Sequence, residues 1–331
     1  MNMPVDNPPD ERVFEQALER TKAHGFLEYR GEFGGEVANF IPFVHWLHQH
    51  RHLRNTRLST YRGMEPFYFF LQPDQLLIRN ERRVHVPNAE RWWPGSFTHT
   101  DISASPFHAP PDYRAHYTNS GLSFSRPIIF IQNKFNAEWD VGPINFLALR
   151  FLREMFQLGE SRFSVVYSRP MEVMSSGYSQ DHNINCDYPD YALAEQFPDV
   201  TCLDRLDLGD KYNETKLSIL AKCKLFLSVQ GGSTHLLAYF GGSILIVHHV
   251  VGPEFPRVYF EGRYTQLSSP PPKIFLFDSR TDDIGKVVGF FKSLRTTAGR
   301  SCEVGRENLL WLEPLTEALQ RPSVISRGKV P

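Results

Sequence analysis

The second half of the chain alternates short apolar runs with helical segments, and no other feature of the sequence constrains the fold as strongly. Apolar runs of strand length occur at 127–132, 163–167, 200–203, 225–229, 244–248 and 273–277, and helical patterns at 144–158, 216–222, from Ser233 and at 282–294. Uninterrupted apolar strands are typical of parallel sheets that are covered on both faces. The sequence therefore predicts an α/β fold with a doubly wound parallel sheet.

The first part of the chain shows a weaker version of the same pattern. It predicts helices at 11–23 and 36–50 and strands at 25–30, 58–61 and 67–71, followed by a stretch rich in Pro, Trp and His without a clear period. A chain of 331 residues is longer than one hydrophobic core usually organises. We therefore predict two domains, over 1–125 and 126–331.

Charge and cysteine content exclude several classes of protein. The formal net charge is −1, so the chain lacks the surplus of Lys and Arg with which proteins neutralise nucleic-acid phosphates. The richest basic stretch, 45–57, is interpreted as a helix end and a loop, with a patch for a phosphate or an anionic acceptor as the alternative. The four cysteines are scattered without the spacing of a zinc site or a disulfide framework.

The chain begins without the pattern of a signal peptide, and no apolar run reaches the length of a membrane span. We therefore expect a cytoplasmic protein without a transmembrane segment. Any contact with a membrane is then expected to be peripheral.

A glycine corner between a strand and a helix is the sharpest local signal. An apolar strand over 225–229 runs into Gln230, Gly231, Gly232, Ser233, Thr234 and His235. Glycines let a ligand approach the backbone, Ser or Thr caps the helix that follows, and the exposed N–H groups favour a phosphate. A plain tight turn with a capped helix is the alternative. The P-loop lysine and the glycine spacing of a dinucleotide fingerprint are both absent.

A second glycine turn lies near the start of the chain. Two carboxylates, Glu32 and Glu36, flank the pair Gly34 and Gly35 ahead of a predicted helix. A carboxylate on such a loop suits the general base of a transfer reaction, because it can take a proton from an attacking hydroxyl. Alternatively, Glu36 simply stabilises the N-terminus of the helix by its charge.

Polar residues follow three of the predicted strands. Asn133 and Lys134 come after the strand at 127–132, Arg169 after 163–167, and Asp204 after 200–203. Asn133 and Lys134 suit a diphosphate or sugar hydroxyls, and Arg169 can grip a diphosphate through two hydrogen bonds without a metal. A plain surface charge is the alternative for Lys134 and Arg169. Asp204 suits a base or a ribose, or a turn. Because the acidic segments 187–190 and 278–283 and the histidines lack metal-binding spacing, we expect no required metal.

The segments LFLSVQGGSTHLLAYFGGSILIVHH and GEFGGEVANF resemble GT-B glycosyltransferases related to the protein O-fucosyltransferases and their bacterial relatives. The resemblance implies two Rossmann-like domains facing a central cleft, with the acceptor on the first and a nucleotide-sugar donor on the second. It also implies inversion without a metal or other cofactor. Arg169 would then steady the diphosphate, and Glu36 or Glu32 would be the base. The family's His-x-Arg motif reads Tyr167-Ser168-Arg169 here, so its fucose and guanine specificity is not carried over.

Three functions are compatible with these features. The first is a transferase that moves a hexose or deoxyhexose to a saccharide or glycolipid acceptor, as in polysaccharide biosynthesis. The second is a nucleotide-sugar epimerase of GT-B-like fold, which binds the donor without an acceptor. The third is a module that binds a carbohydrate or nucleotide without catalysis. Neither the sugar, the base, the linkage nor the oligomeric state follows from the sequence.

Overall fold

We describe the protein from a computed structural model. The described residues are 12, 14–19, 25–80, 105–137, 142–143, 145–160, 162–169, 184–248, 257–278 and 284–293.

A small parallel sheet organises the N-terminal part. Its described strands are β1 (Phe26–Glu28), β2 (Arg57–Tyr61) and β3 (Leu76–Arg79), in the order β1-β2-β3. The sequence predicted β1 and β2. It missed β3, which lies in the stretch that we expected to be irregular.

The prediction of a strand at 67–71 is wrong. A 3-10 helix spans Glu65–Tyr68 instead, and the chain then turns. Pro66 lies in the first turn of this helix, where a residue without an N–H is tolerated. Phe67 and Tyr68 are fully buried, so their apolar character reflects core packing and not a strand.

One long helical run connects β1 to β2. We call it α1 (33–49); it consists of an α-turn at Phe33–Gly35, a π-helical segment at Glu36–Phe40 and an α-helix at Ile41–Gln49. The predicted helix is therefore confirmed, but it begins three residues earlier. Pro42 has no N–H to give to the turn before it, and the π-helical segment lies directly on that N-terminal side.

The C-terminal sheet confirms the doubly wound prediction. Its six strands are parallel, in the order β11-β10-β9-β4-β6-β8. They span β4 (Ile128–Gln132), β6 (Ser164–Ser168), β8 (Val200–Cys202), β9 (Leu225–Val229), β10 (Ser243–His248) and β11 (Lys273–Asp278). A short antiparallel pair, β5 (Asn136–Ala137) and β7 (Ile184–Asn185), lies outside this sheet.

Helices cover both faces of the larger sheet. They are α2 (Tyr113–Tyr117), α3 (Leu149–Gln157), α4 (Asp190–Ala194), α5 (Tyr212–Lys222), α6 (Gly232–Ala238), α7 (Arg257–Arg263) and α8 (Ile284–Ser293). The sequence predicted α3, α5, α6 and α8 within a few residues. It missed the short helices α2, α4 and α7.

Two apolar clusters sandwich the larger sheet. Phe130 and Phe226 belong to one cluster, while their chain neighbours Ile131 and Leu227 belong to the other. This alternation shows why the strands are apolar throughout. The first cluster also contains the buried residues of the N-terminal sheet and α1, so the two sheets share one core. The division at residue 125 remains a prediction.

Side chains also join the two sheets. The Arg114 guanidinium of α2 donates to the carbonyl oxygens of Ala221, Cys223 and Phe240, which belong to the C-terminal part. Tyr239 donates its hydroxyl to Val37 O of α1. Within the described residues, no helix is both long and apolar enough to cross a bilayer.

Candidate functional site

The strand order places a topological switch point at the carboxyl ends of β4 and β9, and we call the region between the loops that follow them the crevice. The chain passes from β4 outward to β6 and β8, then returns to the other side of β4 as β9. Ligands of open α/β sheets bind at such a switch point. Gln132 lies opposite Ser228 in the register of these strands, so the residues that follow each strand meet there. The sequence predicted both loops as binding loops, and the fold brings them together.

Lys134 lies against the glycine corner that follows β9. A Cβ built on Gly231 would lie 3.6 Å from Lys134 Nζ and 3.7 Å from its Cδ. Gly231 has a φ of 151°, a conformation that side chains rarely adopt. Gly231, Gly232 and Ser233 are all partly exposed. The corner therefore offers accessible backbone beside a lysine ammonium group.

The two predicted glycine turns touch each other. A Cβ built on Gly34 would lie 2.9 Å from the Cα of Gly232, and one built on Gly232 would lie 2.9 Å from the Cα of Gly34. Gly34 and Gly35 are partly exposed. The N-terminal turn thus borders the crevice directly, which the sequence alone did not show.

Gln230 carries a buried acceptor at the same corner. The residue is 3% exposed, and no donor among the described residues reaches its Oε1 atom. Most buried polar side-chain atoms in proteins do have a partner. Gln230 Oε1 is therefore a buried acceptor for which the described residues supply no hydrogen-bond donor.

The helix after the corner begins differently from the prediction. Its N-cap is Gly231, without a capping side chain, and α6 is only seven residues long. Thr234 is fully buried and donates its hydroxyl to Val229 O at 2.6 Å. Its hydroxyl therefore fixes the turn and does not face the crevice.

His235 is buried beneath the contact between the two glycine turns. Its Nε2 lies 2.6 Å from the Tyr259 hydroxyl, and its Nδ1 lies 3.7 Å from a Cβ built on Gly34. Burial lowers its pKa to about 4, with the positive charge of Arg263 acting in the same direction. The ring is therefore neutral at physiological pH.

Asn133 is fully engaged within the protein. Its Oδ1 accepts from the Leu147 amide at 2.9 Å, and its Nδ2 donates to the Tyr167 hydroxyl at 3.0 Å. It is 1% exposed. Asn133 thus anchors the loop that precedes α3, while its neighbour Lys134 reaches the glycine corner.

Arg169 faces a carboxylate in the interior. Its guanidinium makes a two-pronged ion pair with Asp190, in which Nη2 and Oδ1 are 2.9 Å apart. Burial opposes the charge on Arg169, but the hydrogen bonds and the negative charge of Asp190 raise its pKa overall. No acceptor among the described residues reaches its Nη1. A contact with a diphosphate stays a prediction.

Asp204 is the centre of a second buried set of hydrogen bonds. It is 1% exposed and accepts from the Arg169 amide at 2.8 Å and the Tyr191 hydroxyl at 3.1 Å, and also from Tyr212 and Ser168. These partners occupy its carboxylate oxygens. The structure therefore gives Asp204 a role in organising strand ends, and contact with a base or ribose stays a prediction.

A buried lysine beneath the crevice was not predicted from the sequence as a site residue. Lys216 is 1% exposed and donates to Gln132 Oε1 at 2.9 Å. Gln132 Nε2 in turn donates to the carbonyl oxygens of Asn133 and Ser168. Burial lowers the pKa of Lys216 to about 7, against the opposing attraction of Asp204. The sequence signal that could have identified Lys216 is a lysine within a helix whose other central residues are mostly buried.

The two glutamates of the N-terminal turn lie in different environments. Glu36 is 1% exposed, and its Oε1 accepts from the Thr60 hydroxyl at 2.8 Å and the Tyr68 hydroxyl at 2.7 Å. Glu32 is partly exposed, and its backbone oxygen accepts from the Glu36 amide. Of the two residues, Glu32 is partly exposed and Glu36 is buried.

Potential metal ligands do not cluster in the described part of the chain. No three His, Cys, Asp or Glu side chains group there in a way that would hold an ion. Asp190, in one of the acidic segments that the sequence offered, is the partner of Arg169. The segment 279–283 lies outside the described residues.

No family model and no curated protein matches the chain. Solved structures with some likeness include a glycosyl transferase of family 9 from Veillonella parvula DSM 2008, at 11% identity over 88% of this chain and 95% of that one, with a TM-score of 0.42. Two others are E. coli proteins. Heptosyltransferase WaaC with ADP is 11% identical over 81% of this chain and 98% of that one, with a TM-score of 0.44. ADP-heptose LPS heptosyltransferase II is 11% identical over 88% of this chain and 99% of that one, with a TM-score of 0.42.

With TM-scores below 0.5, these likenesses carry no weight for function, which is inferred from the site itself. None of the three is named as an O-fucosyltransferase, and kinship with that group remains a prediction. The α/β class with two parallel sheets is confirmed.

Proposed function

We propose that the chain is a glycosyltransferase that moves a sugar from a nucleoside-diphosphate donor to a saccharide or glycolipid acceptor. The observation that carries the proposal is the position of the Lys134 side chain beside Gly231 at the switch point, where a Cβ built on Gly231 would lie 3.6 Å from Lys134 Nζ, next to the turn that contains Gly34. A fixed cation next to accessible backbone amides suits the diphosphate of an activated sugar.

The position of the two glycine turns supports a transfer reaction over simple binding. A donor held by its diphosphate at Gly231 would place its sugar near the turn of Gly34 and Gly35, which comes from the other sheet. Glu32, partly exposed in that turn, is then the candidate base for the acceptor hydroxyl. Attack from that side on the anomeric carbon inverts its configuration.

Metal independence is also part of the proposal. As the sugar leaves, negative charge develops on the diphosphate, and Lys134 with the corner amides would stabilise it. We expect activity to persist after treatment with EDTA. A large loss on chelation that is restored by a divalent ion would contradict this part.

Binding of nucleoside diphosphates tests the donor site. Wild-type protein is screened by thermal shift against a panel of nucleosides and nucleoside diphosphates, and a diphosphate is expected to stabilise it. Lys134→Gln should weaken that binding about tenfold or more, the size of a lost charge-assisted hydrogen bond. Lys286→Gln, which removes an exposed lysine on α8, is the matched control. If no diphosphate binds, the proposed function fails.

Consumption of a donor separates the enzyme classes. A transferase consumes a nucleotide sugar faster when an acceptor is added. An epimerase converts the donor without an acceptor, and a binding module leaves it unchanged. Comparing the anomeric configuration of the product with that of the donor then decides whether it is inverted.

A further inference from the structure

A cationic turn at the end of α1 lies apart from the crevice residues. It comprises His48, His50, Arg51, His52, Arg54 and Arg57, all of which are exposed. The stretch 37–64 contains no Asp or Glu, although the whole chain carries a net charge of −1. This stretch therefore carries basic side chains without acidic ones, in a chain whose total charge is close to zero.

The three arginines have no carboxylate partners in the described part of the chain. The acidic residues on the neighbouring segments are Glu15, Glu19, Glu28 and Asp74. Glu28 pairs with Arg30 and Arg79, and no ion pair joins any of the four to the three arginines. The C-terminal dipole of α1 favours basic residue types at positions 48 and 50, since its effect falls off within the last turn. It does not account for Arg54 and Arg57.

Arg51 occupies a backbone position that favours glycine. Its φ is 60°, and it is the only non-glycine residue with a positive φ in the described chain. The amides of Arg51 and His52 donate to the carbonyl oxygens of His48 and Leu47, which closes the helix end. Glycine is the common residue at such an end because it adopts this conformation without strain. An arginine there is unfavourable for the fold and calls for another reason.

The turn is also rigid. Leu53 is 5% exposed, and its carbonyl oxygen accepts from Gln75 Nε2 at 3.3 Å. The amide of Thr56 donates back to Leu53 O. The arginines on either side of this buried anchor therefore project from a fixed base.

We propose that this cationic turn docks the protein on an anionic membrane surface through lipid phosphates. The rings around it favour a lipid surface over a nucleic acid or a saccharide. Trp46 stacks on His50 with centroids 4.0 Å apart, lies nearly parallel to His52 and meets Phe14 edge to face. Its faces are thus occupied by imidazole rings and offer no platform for a base or a sugar. Charge without a stacking platform fits a layer of phosphates.

Co-sedimentation with vesicles tests the proposal. Wild-type protein is expected to bind vesicles of phosphatidylcholine and phosphatidylglycerol in equal parts, to ignore vesicles of phosphatidylcholine alone, and to release as salt is raised. The triple variant Arg51→Gln, Arg54→Gln, Arg57→Gln should lose about 100-fold in partitioning, from about fivefold for each basic residue near an anionic surface. The control Arg150→Gln, Lys211→Gln, Lys286→Gln removes the same charge from other exposed positions and should bind like wild type.

A single variant distinguishes docking from folding. Arg51→Gly should raise the thermal midpoint, because glycine suits the positive φ, and yet weaken vesicle binding about fivefold. Three results would overturn the proposal: equal binding of the two vesicle types, a triple variant that binds like wild type, or binding of single-stranded RNA or a soluble anionic polysaccharide with no binding of vesicles. None of these readouts depends on the proposed transferase activity.

Discussion

The backbone of Gly34 lies directly on the backbone of Gly232, so that a Cβ on either residue would come within 2.9 Å of the other's Cα. These glycines lie on α1 and α6, 198 positions apart in the sequence (232 − 34). The nearest atoms that a Cβ would meet belong to the backbone, so no flexible side chain could move aside. The first turns of α1 and α6 are therefore held at a distance that only glycine permits at both positions.

Replacing Gly232 tests this contact. Gly232→Ala should lower the free energy of unfolding by about 1–3 kcal/mol, as for other overpacked sites, because two backbones must separate. The change is measured by urea denaturation. The control is Gly289→Ala, at an exposed position in α8 with open space around its Cα, which should gain up to about 1 kcal/mol. Equal effects of the two substitutions would show that the close approach does not constrain the fold.

This contact also marks the limit of what the sequence predicts. Each glycine turn is visible locally as a glycine pair before a helix, and both were identified. Their meeting depends on how α1 packs against α6, which is set by buried residues far apart in the chain, such as Val37 and Tyr239. Local patterns contain no information about such pairings, so the sequence showed two candidate loops and the structure combines them.

The ion pair of Arg169 with Asp190 gives a second prediction. Arg169→Met should destabilise the protein by about 3–5 kcal/mol, because it leaves the buried Asp190 carboxylate without its countercharge. The double variant Arg169→Met, Asp190→Leu should cost less than the sum of the two single variants, since it removes both charges. The free energies of unfolding of wild type, the two single variants and the double variant together form a double-mutant cycle. Strict additivity would mean that the pair contributes no coupling.

Arg169 also shows what the sequence cannot predict about the surroundings of a candidate site residue. A basic residue after a parallel strand predicts a cation at the ligand edge of the sheet, and the strand was placed correctly. Asp190 follows a segment without a clear pattern, on the short helix α4 that the sequence missed. Because its partner was invisible, the charge of Arg169 looked available. Lys134 is also a basic residue that follows a parallel strand, and its side chain does reach the glycine corner.

Lys216 predicts how stability depends on pH. Its pKa is lowered by burial to about 7 in the folded protein, from 10.5. Between these values the unfolded chain holds a proton that the folded chain has released, so this residue makes stability rise with pH. The slope is at most about 1.4 kcal/mol per pH unit. Below pH 7 both states are protonated and the contribution to the slope vanishes.

Comparing variants isolates this effect from other groups that titrate. Lys216→Met should remove the rise, so that the difference in unfolding free energy between variant and wild type falls as pH increases from about 7 to 10. Lys222→Met changes the last residue of the same helix, whose ammonium group donates to Thr118 O at the surface. That control should follow the wild-type curve. A difference between Lys216→Met and wild type that is constant with pH would contradict a lowered pKa.

The two glutamates of the N-terminal turn give the prediction most specific to the proposed reaction. Glu32→Gln should reduce turnover by about 10²-fold or more while leaving diphosphate binding unchanged, because an amide cannot take the acceptor proton. Glu36→Gln keeps an oxygen acceptor for Thr60 and Tyr68 and should retain turnover. Glu36→Leu leaves both hydroxyls without an acceptor and should cost about 1–3 kcal/mol of stability for each. Full turnover in Glu32→Gln, together with loss in Glu36→Gln at unchanged stability, would assign the base to the buried carboxylate and require the turn to open during the reaction.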